Sequence, residues 1–162
     1  MNAELTERLT QLIRSHSTAA LGTLHAEAPY VSLVPYAIAA GGSGFLIHVS
    51  TLAAHTKDML ADARVSLLIA EAEGGGKSSQ ALQRVSVQGV ARRIGTDSPE
   101  LHGFRAEYLA RFPEAEQMFG FPDFSIFLIR PAAARYVAGF GQAHSLSADS
   151  MVQLLQQSEL TE

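Results

Sequence analysis

Tyr30, Ser32, His48 and Ser50 occupy alternating positions in two short β-compatible runs. The second run leads straight into Thr51-Leu52-Ala53-Ala54-His55-Thr56-Lys57-Asp58, which reads as a helix start. Hydroxyls, a cation and the free amide donors of a helix N-terminus are groups that suit a phosphate. Residues 30–68 are therefore the chemically informative stretch of the chain.

Other chemistries fit less well. Gly74-Gly75-Gly76-Lys77-Ser78 has the look of a phosphate loop, but Glu71 stands where that motif opens on glycine, and a strand pattern follows where a helix is required. The histidines at 16, 25, 48, 55, 102 and 144 include no helical i, i+4 pair with an intervening glutamate, so no zinc site is expected. No Gly-x-Ser-x-Gly elbow marks a hydrolase nucleophile. With no cysteine in the chain, thiolate ligands, disulfides and cysteine nucleophiles are excluded.

The elements that must position these groups follow from periodicity. Leu5, Leu9, Leu12 and Ile13 recur at helical spacing behind Asn2 as a cap, predicting a helix over about 3–15. Residues 18–24, 30–36 and 45–50 read as strands, the second with Tyr30, Ser32, Val34 and Tyr36 on one face. In the third, Phe45, Ile47 and Val49 oppose Leu46, His48 and Ser50, so the polar side chains are expected on one side of neighbouring strands. A helix capped by Thr51 should run to Leu60, followed by a strand over 64–70, a glycine-rich loop over 71–80 and a long strand over 83–94. Asp97-Ser98-Pro99 signals another helix start, and Pro113 restarts the chain after it. Closing strands are expected over 124–129 and 135–140, split by Pro131, with Ser147 capping a final helix over about 148–157.

A length of 162 residues with 47% hydrophobic content accommodates one domain, 1–162. Charged residues make up only 17%, which leaves part of the surface to be covered by a second copy. A net charge of −4 argues against nucleic-acid and anionic-membrane partners, and no apolar run reaches membrane-spanning length, so a cytoplasmic protein is expected.

Several segments occur in one recognisable order: Ser50 to Asp58, Arg64 to Leu68, Arg84-Val85-Ser86-Val87-Gln88-Gly89, Tyr108 to Ala115, Phe121-Pro122-Asp123-Phe124 and Gly139-Phe140-Gly141-Gln142-Ala143. In these the chain resembles the haem-utilisation branch of the pyridoxamine-phosphate-oxidase-like, FMN-binding split barrels, and the likeness covers nearly the whole chain.

The resemblance implies a mainly β fold with flanking helices (α+β), a six-stranded antiparallel split β-barrel that pairs as a homodimer. It implies FMN at the dimer interface and a flavin-dependent oxidoreductase, held by Tyr30, Ser32, His48, Val49, Ser50, His55, Thr56 and Lys57, with Arg84 approaching from the partner or an adjacent strand. The alternatives it carries are haem binding and degradation, with His144 as iron ligand and Asp123 beside it, and a cofactor-free adaptor in tetrapyrrole metabolism. Two departures stand out. Asp58 lies where the family often has asparagine, and Tyr30 and Pro35 align where the oxidases proper carry a cationic grip on their vitamin B6 substrate.

Overall fold

Asn2 opens α1 (Ala3–Ser15) by accepting the Leu5 amide at 2.9 Å, which places Leu9, Leu12 and Ile13 on the buried stripe. The computed structural model describes residues 1–157. Eight strands follow among them: β1 (Thr18–His25), β2 (Ala28–Pro35), β3 (Ala37–Ala39), β4 (Gly44–Ser50), β5 (Arg64–Ala70), β6 (Arg84–Arg93), β7 (Phe124–Gly139) and β8 (Gln142–Ser147). They form one antiparallel sheet in the order β2-β1-β5-β6-β7-β4-β3, with β8 on β7, and the sheet curls until β2 approaches β4.

The count of six strands is corrected to eight. The expected strands 124–129 and 135–140 are parts of one continuous strand that ends at Gly139, and the short β3 and β8 are added. Pro131 does not break β7 because it sits opposite Gly89 at a register shift, where a bulge tolerates a residue with no N–H to donate.

Two apolar layers explain the curl. Inside, α1 and α4 (Ala148–Gln157) pack Leu9, Leu12, Ile13, Met151, Leu154 and Leu155 onto the inward residues of the strands. Outside, α3 (Leu101–Arg111) and the 3-10 turns of Pro113–Gly120 cover Leu46, Ile126 and Leu128. β4 and the first half of β7 are thus buried on both faces, which is why they lack clean polar alternation.

Two helix starts differ from the sequence expectation. The helix after β4 is α2 (Ala54–Ala61), and its cap is Ala53, with no side-chain bond from Thr51. α3 begins only after Pro99, at Leu101; Ser98 accepts the Glu100 amide within the preceding turn. Among the described residues no helix is long and apolar enough to cross a membrane.

Candidate functional site

The strand-to-helix corner between β4 and α2 is closed by its own side chains. Ser50 Oγ donates to Asp123 Oδ2 at 2.6 Å and accepts the Leu52 amide, while Thr56, fully buried, donates its hydroxyl to the Ser50 carbonyl at 2.6 Å. Two hydroxyls expected to bind the cofactor, Ser50 and Thr56, are engaged in holding the corner. Lys57 is exposed, α2 has no side-chain cap, and its first-turn amides remain donors. Burial lowers the His55 pKa against the opposing field of Asp58.

The expected gathering of polar side chains on one side does not occur. Tyr30 and Ser32 share the inward face of β2 with buried Val34, opposite Thr23 and Leu21 of β1. His48 and Ser50 instead face α3 and the turns beyond it, for β2 and β4 lie near opposite ends of the strand order. His48 stacks on Phe119 (3.8 Å between centroids, 8° between planes) and meets Tyr108 and Phe124. Val49 points into the core, and Ser32 Oγ is buried without a hydrogen-bond partner.

Arg84 bonds the Leu82 carbonyl and lies opposite Ala70, roughly 13 Å along β5 from the Ser66 position that pairs with β1 near α2. Within one chain it does not reach the α2 corner. Asp123 and His144 are also separated: Asp123 precedes the first residue of β7, whereas His144 pairs with Tyr136 near its far end. The expected His144–Asp123 pair does not form within a chain.

The structure assembles a different cluster, which the sequence did not reveal. Asp58 turns away from the helix start and accepts hydrogen bonds from His25 Nδ1 (2.7 Å) and Thr23 Oγ1 (2.9 Å). Burial alone would raise its carboxyl pKa. The hydrogen bonds from His25 and Thr23, with the fields of His25 and His55, hold it below the ordinary carboxylate value. The only sequence signal was Asp58 itself, at a position where asparagine was expected.

An antiparallel half-barrel in this strand order, with helices filling its interior and covering its outer wall, defines the split-barrel class. Within that class the chain belongs to the pyridoxamine 5'-phosphate oxidase family, whose model matches residues 5–138. It is 27% identical over 154 residues to heme oxygenase HutZ of Vibrio cholerae, covering 94% of this chain and 86% of that protein. It is 37% identical over 115 residues to the chloroplastic heme oxygenase HOZ of Arabidopsis thaliana, covering 71% of this chain but 33% of that protein. A heme binding protein from Mycobacterium smegmatis superposes with a TM-score of 0.83 at 27% identity, over 94% of this chain and 62% of that one.

Proposed function

We propose that this chain is a haem-binding protein of the heme-oxygenase type, acting as a homodimer. The observation that carries the reading is the open apolar face of β2, β1 and β5: Val31 and Leu33 are 66% and 70% exposed, and Leu33, Ala20 and Leu68 stand side by side across three strands. An apolar sheet face of this kind calls for a cover. A second copy laid against it gives a planar porphyrin a dry wall.

The residues present suit the group. Val31, Leu33 and Leu68, all exposed on that one face, offer apolar contact to a porphyrin plane. When bound, haem iron supplies the oxygen chemistry, and the protein contributes position and exclusion of water. The two relatives named as heme oxygenases support the choice of haem.

FMN is the second reading, favoured by the uncapped α2 start beside exposed Lys57. The Asp123 carboxylate bonded to Ser50 opposes an anion at that corner. Parallel titrations with hemin and FMN decide between them. The expected result is a sharpened, shifted Soret band saturating near one hemin per chain, with the flavin spectrum unperturbed. Perturbation of FMN alone would transfer the assignment to flavin, and a chain indifferent to both would support the adaptor.

A further inference from the structure

The sheet is free of carboxylates. Among the described residues no Asp or Glu lies in β1 to β8, although the chain carries 16 of them and a net charge of −4. The fixed charges that do stand on the strands are arginines.

Cross-strand partners share a face, so the register shows where those arginines point. Leu33, Ala20, Leu68, Ser86, Arg135 and Ser145 form one outward row over β2, β1, β5, β6, β7 and β8. The row is apolar as far as β5 and polar from β6 onward, and Ser86, Arg135 and Ser145 are all exposed. The next row changes in the same direction, from Val31 and Gly22 to Ser66 and Gln88. Arg84 lies on this face two residues before Ser86, which makes it a diagonal neighbour of Arg135, about 7–8 Å away.

These two guanidiniums are unclaimed by acids. Arg64 and Arg92 are paired with Asp62 and Glu100, whereas among the described residues Arg84 and Arg135 form no ion pair. Arg135 Nη1 donates to Ser145 Oγ at 2.8 Å and Arg84 Nη1 to the Leu82 carbonyl at 3.0 Å. Both partners are neutral, and each fork keeps further N–H donors for an anion.

A ligand matched to this surface is flat and apolar at one end and carries two negative groups at the other. From Leu33 to Leu68 is two strand spacings, about 10 Å, the width of a porphyrin ring. From Leu68 to Arg135 is two more, within the combined reach of a propionate and an arginine side chain. The outer face of the curled sheet is convex, so β6 and β7 fall away from a flat ring, and the length of arginine spans that drop. Guanidinium is also the side-chain group whose fork matches a carboxylate in two hydrogen bonds.

We propose that Arg135 and Arg84 bind the two propionate carboxylates of a haem whose ring lies on the apolar half of the same face, with Ser86 and Ser145 completing the polar edge. The assignment rests on the haem-binding reading and adds to it the groups that set the orientation of the ring and select a porphyrin with free carboxylates.

The test compares hemin with hemin dimethyl ester, which keeps the ring and the iron but removes both negative charges. Each is titrated into the full chain as wild type, Arg84→Gln, Arg135→Gln, Arg135→Lys and Arg130→Gln. Arg130 is exposed on the same face opposite Val90, beyond the bulge, so its variant removes an equal charge from the wrong place. Wild type should bind hemin roughly tenfold more tightly than the ester. Arg84→Gln and Arg135→Gln should each lose most of that preference by weakening hemin binding while leaving ester binding unchanged, which a loss of fold would not do. Arg135→Lys should recover part of the preference, and Arg130→Gln should keep it. A wild type that binds hemin and the ester alike, a preference that survives in Arg84→Gln and Arg135→Gln, or one lost equally in Arg130→Gln would overturn the assignment while the haem reading stands. If wild type takes up neither compound, both fall together.

Discussion

His48 is held neutral by its surroundings: burial among Phe119, Tyr108 and Phe124, with the positive charge of Arg105, pushes its pKa down to about 4. In the unfolded chain the same imidazole titrates near 6.5, so between these values the unfolded state binds the extra proton. The stability linked to His48 is therefore complete above pH 6.5 and is lost as pH falls toward 4, on the order of 3 kcal/mol across the window. Urea midpoints measured from about pH 7 to about pH 4.5 should fall in the wild type and much less in His48→Phe; parallel slopes for the two would remove the burial argument. At this scale the candidate site was only partly legible. Alternation along a strand correctly puts His48 and Ser50 on one face and Tyr30 and Ser32 on another, but it cannot say which strands are neighbours. The His25–Asp58 contact joins residues 33 positions apart through a helix that packs on β1, and no local pattern encodes it.

At the scale of elements, the join between β6 and β7 is the place where one small side chain governs a long strand. Gly89 faces Pro131 and the next pair is Gln88 with Ala133, so Ala132 is the extra residue of a bulge. A Cβ on Gly89 would lie 2.6 Å from the Arg130 carbonyl oxygen and 3.0 Å from Ile129 Cγ2. Gly89→Ala should destabilise the protein by on the order of 2 kcal/mol, because backbone must move to admit the methyl. A Cβ on Gly103 of α3 would meet nothing within 4 Å, so Gly103→Ala should be neutral or stabilising by about 0.5–1 kcal/mol. Denaturant midpoints of the two variants should separate, Gly89→Ala falling and Gly103→Ala holding or rising; a loss shared by both would contradict the bulge account. Most strands and the first helix were readable because period-2 alternation and the Leu5–Leu9–Leu12 spacing are local signals. Pro131 misled because a breaker is tolerated where the partner strand supplies a bulge. Thr51 and Pro99 misled because the observed helix starts were set two or three residues further on, with neither residue serving as a side-chain cap.

For the whole molecule, the sparse charge of the sequence and the open face of the sheet point to the same pairing. Only 17% of residues are charged, and the row Leu33–Ala20–Leu68 lies beside the row Val31–Gly22–Ser66 on a face that the chain's own helices leave open. Small Ala20 and Gly22 between larger apolar residues make that surface flat enough for a copy of itself, as a two-fold interface requires. Leu33 contributes little to its own chain's core at 70% exposure, so Leu33→Asp should leave the monomer's fold intact while placing a charge where the two faces meet. Sedimentation should show the wild type as a dimer whose melting temperature rises with concentration, and the variant as a monomer whose melting temperature does not. Hemin uptake provides the link to function: if the porphyrin lies against the paired face, the monomeric variant should lose affinity for it. A Leu33→Asp protein that remains dimeric would move the pairing to another surface, and a wild type that sediments as a monomer at tens of micromolar concentration would remove the pairing; either outcome leaves the open sheet face to another partner.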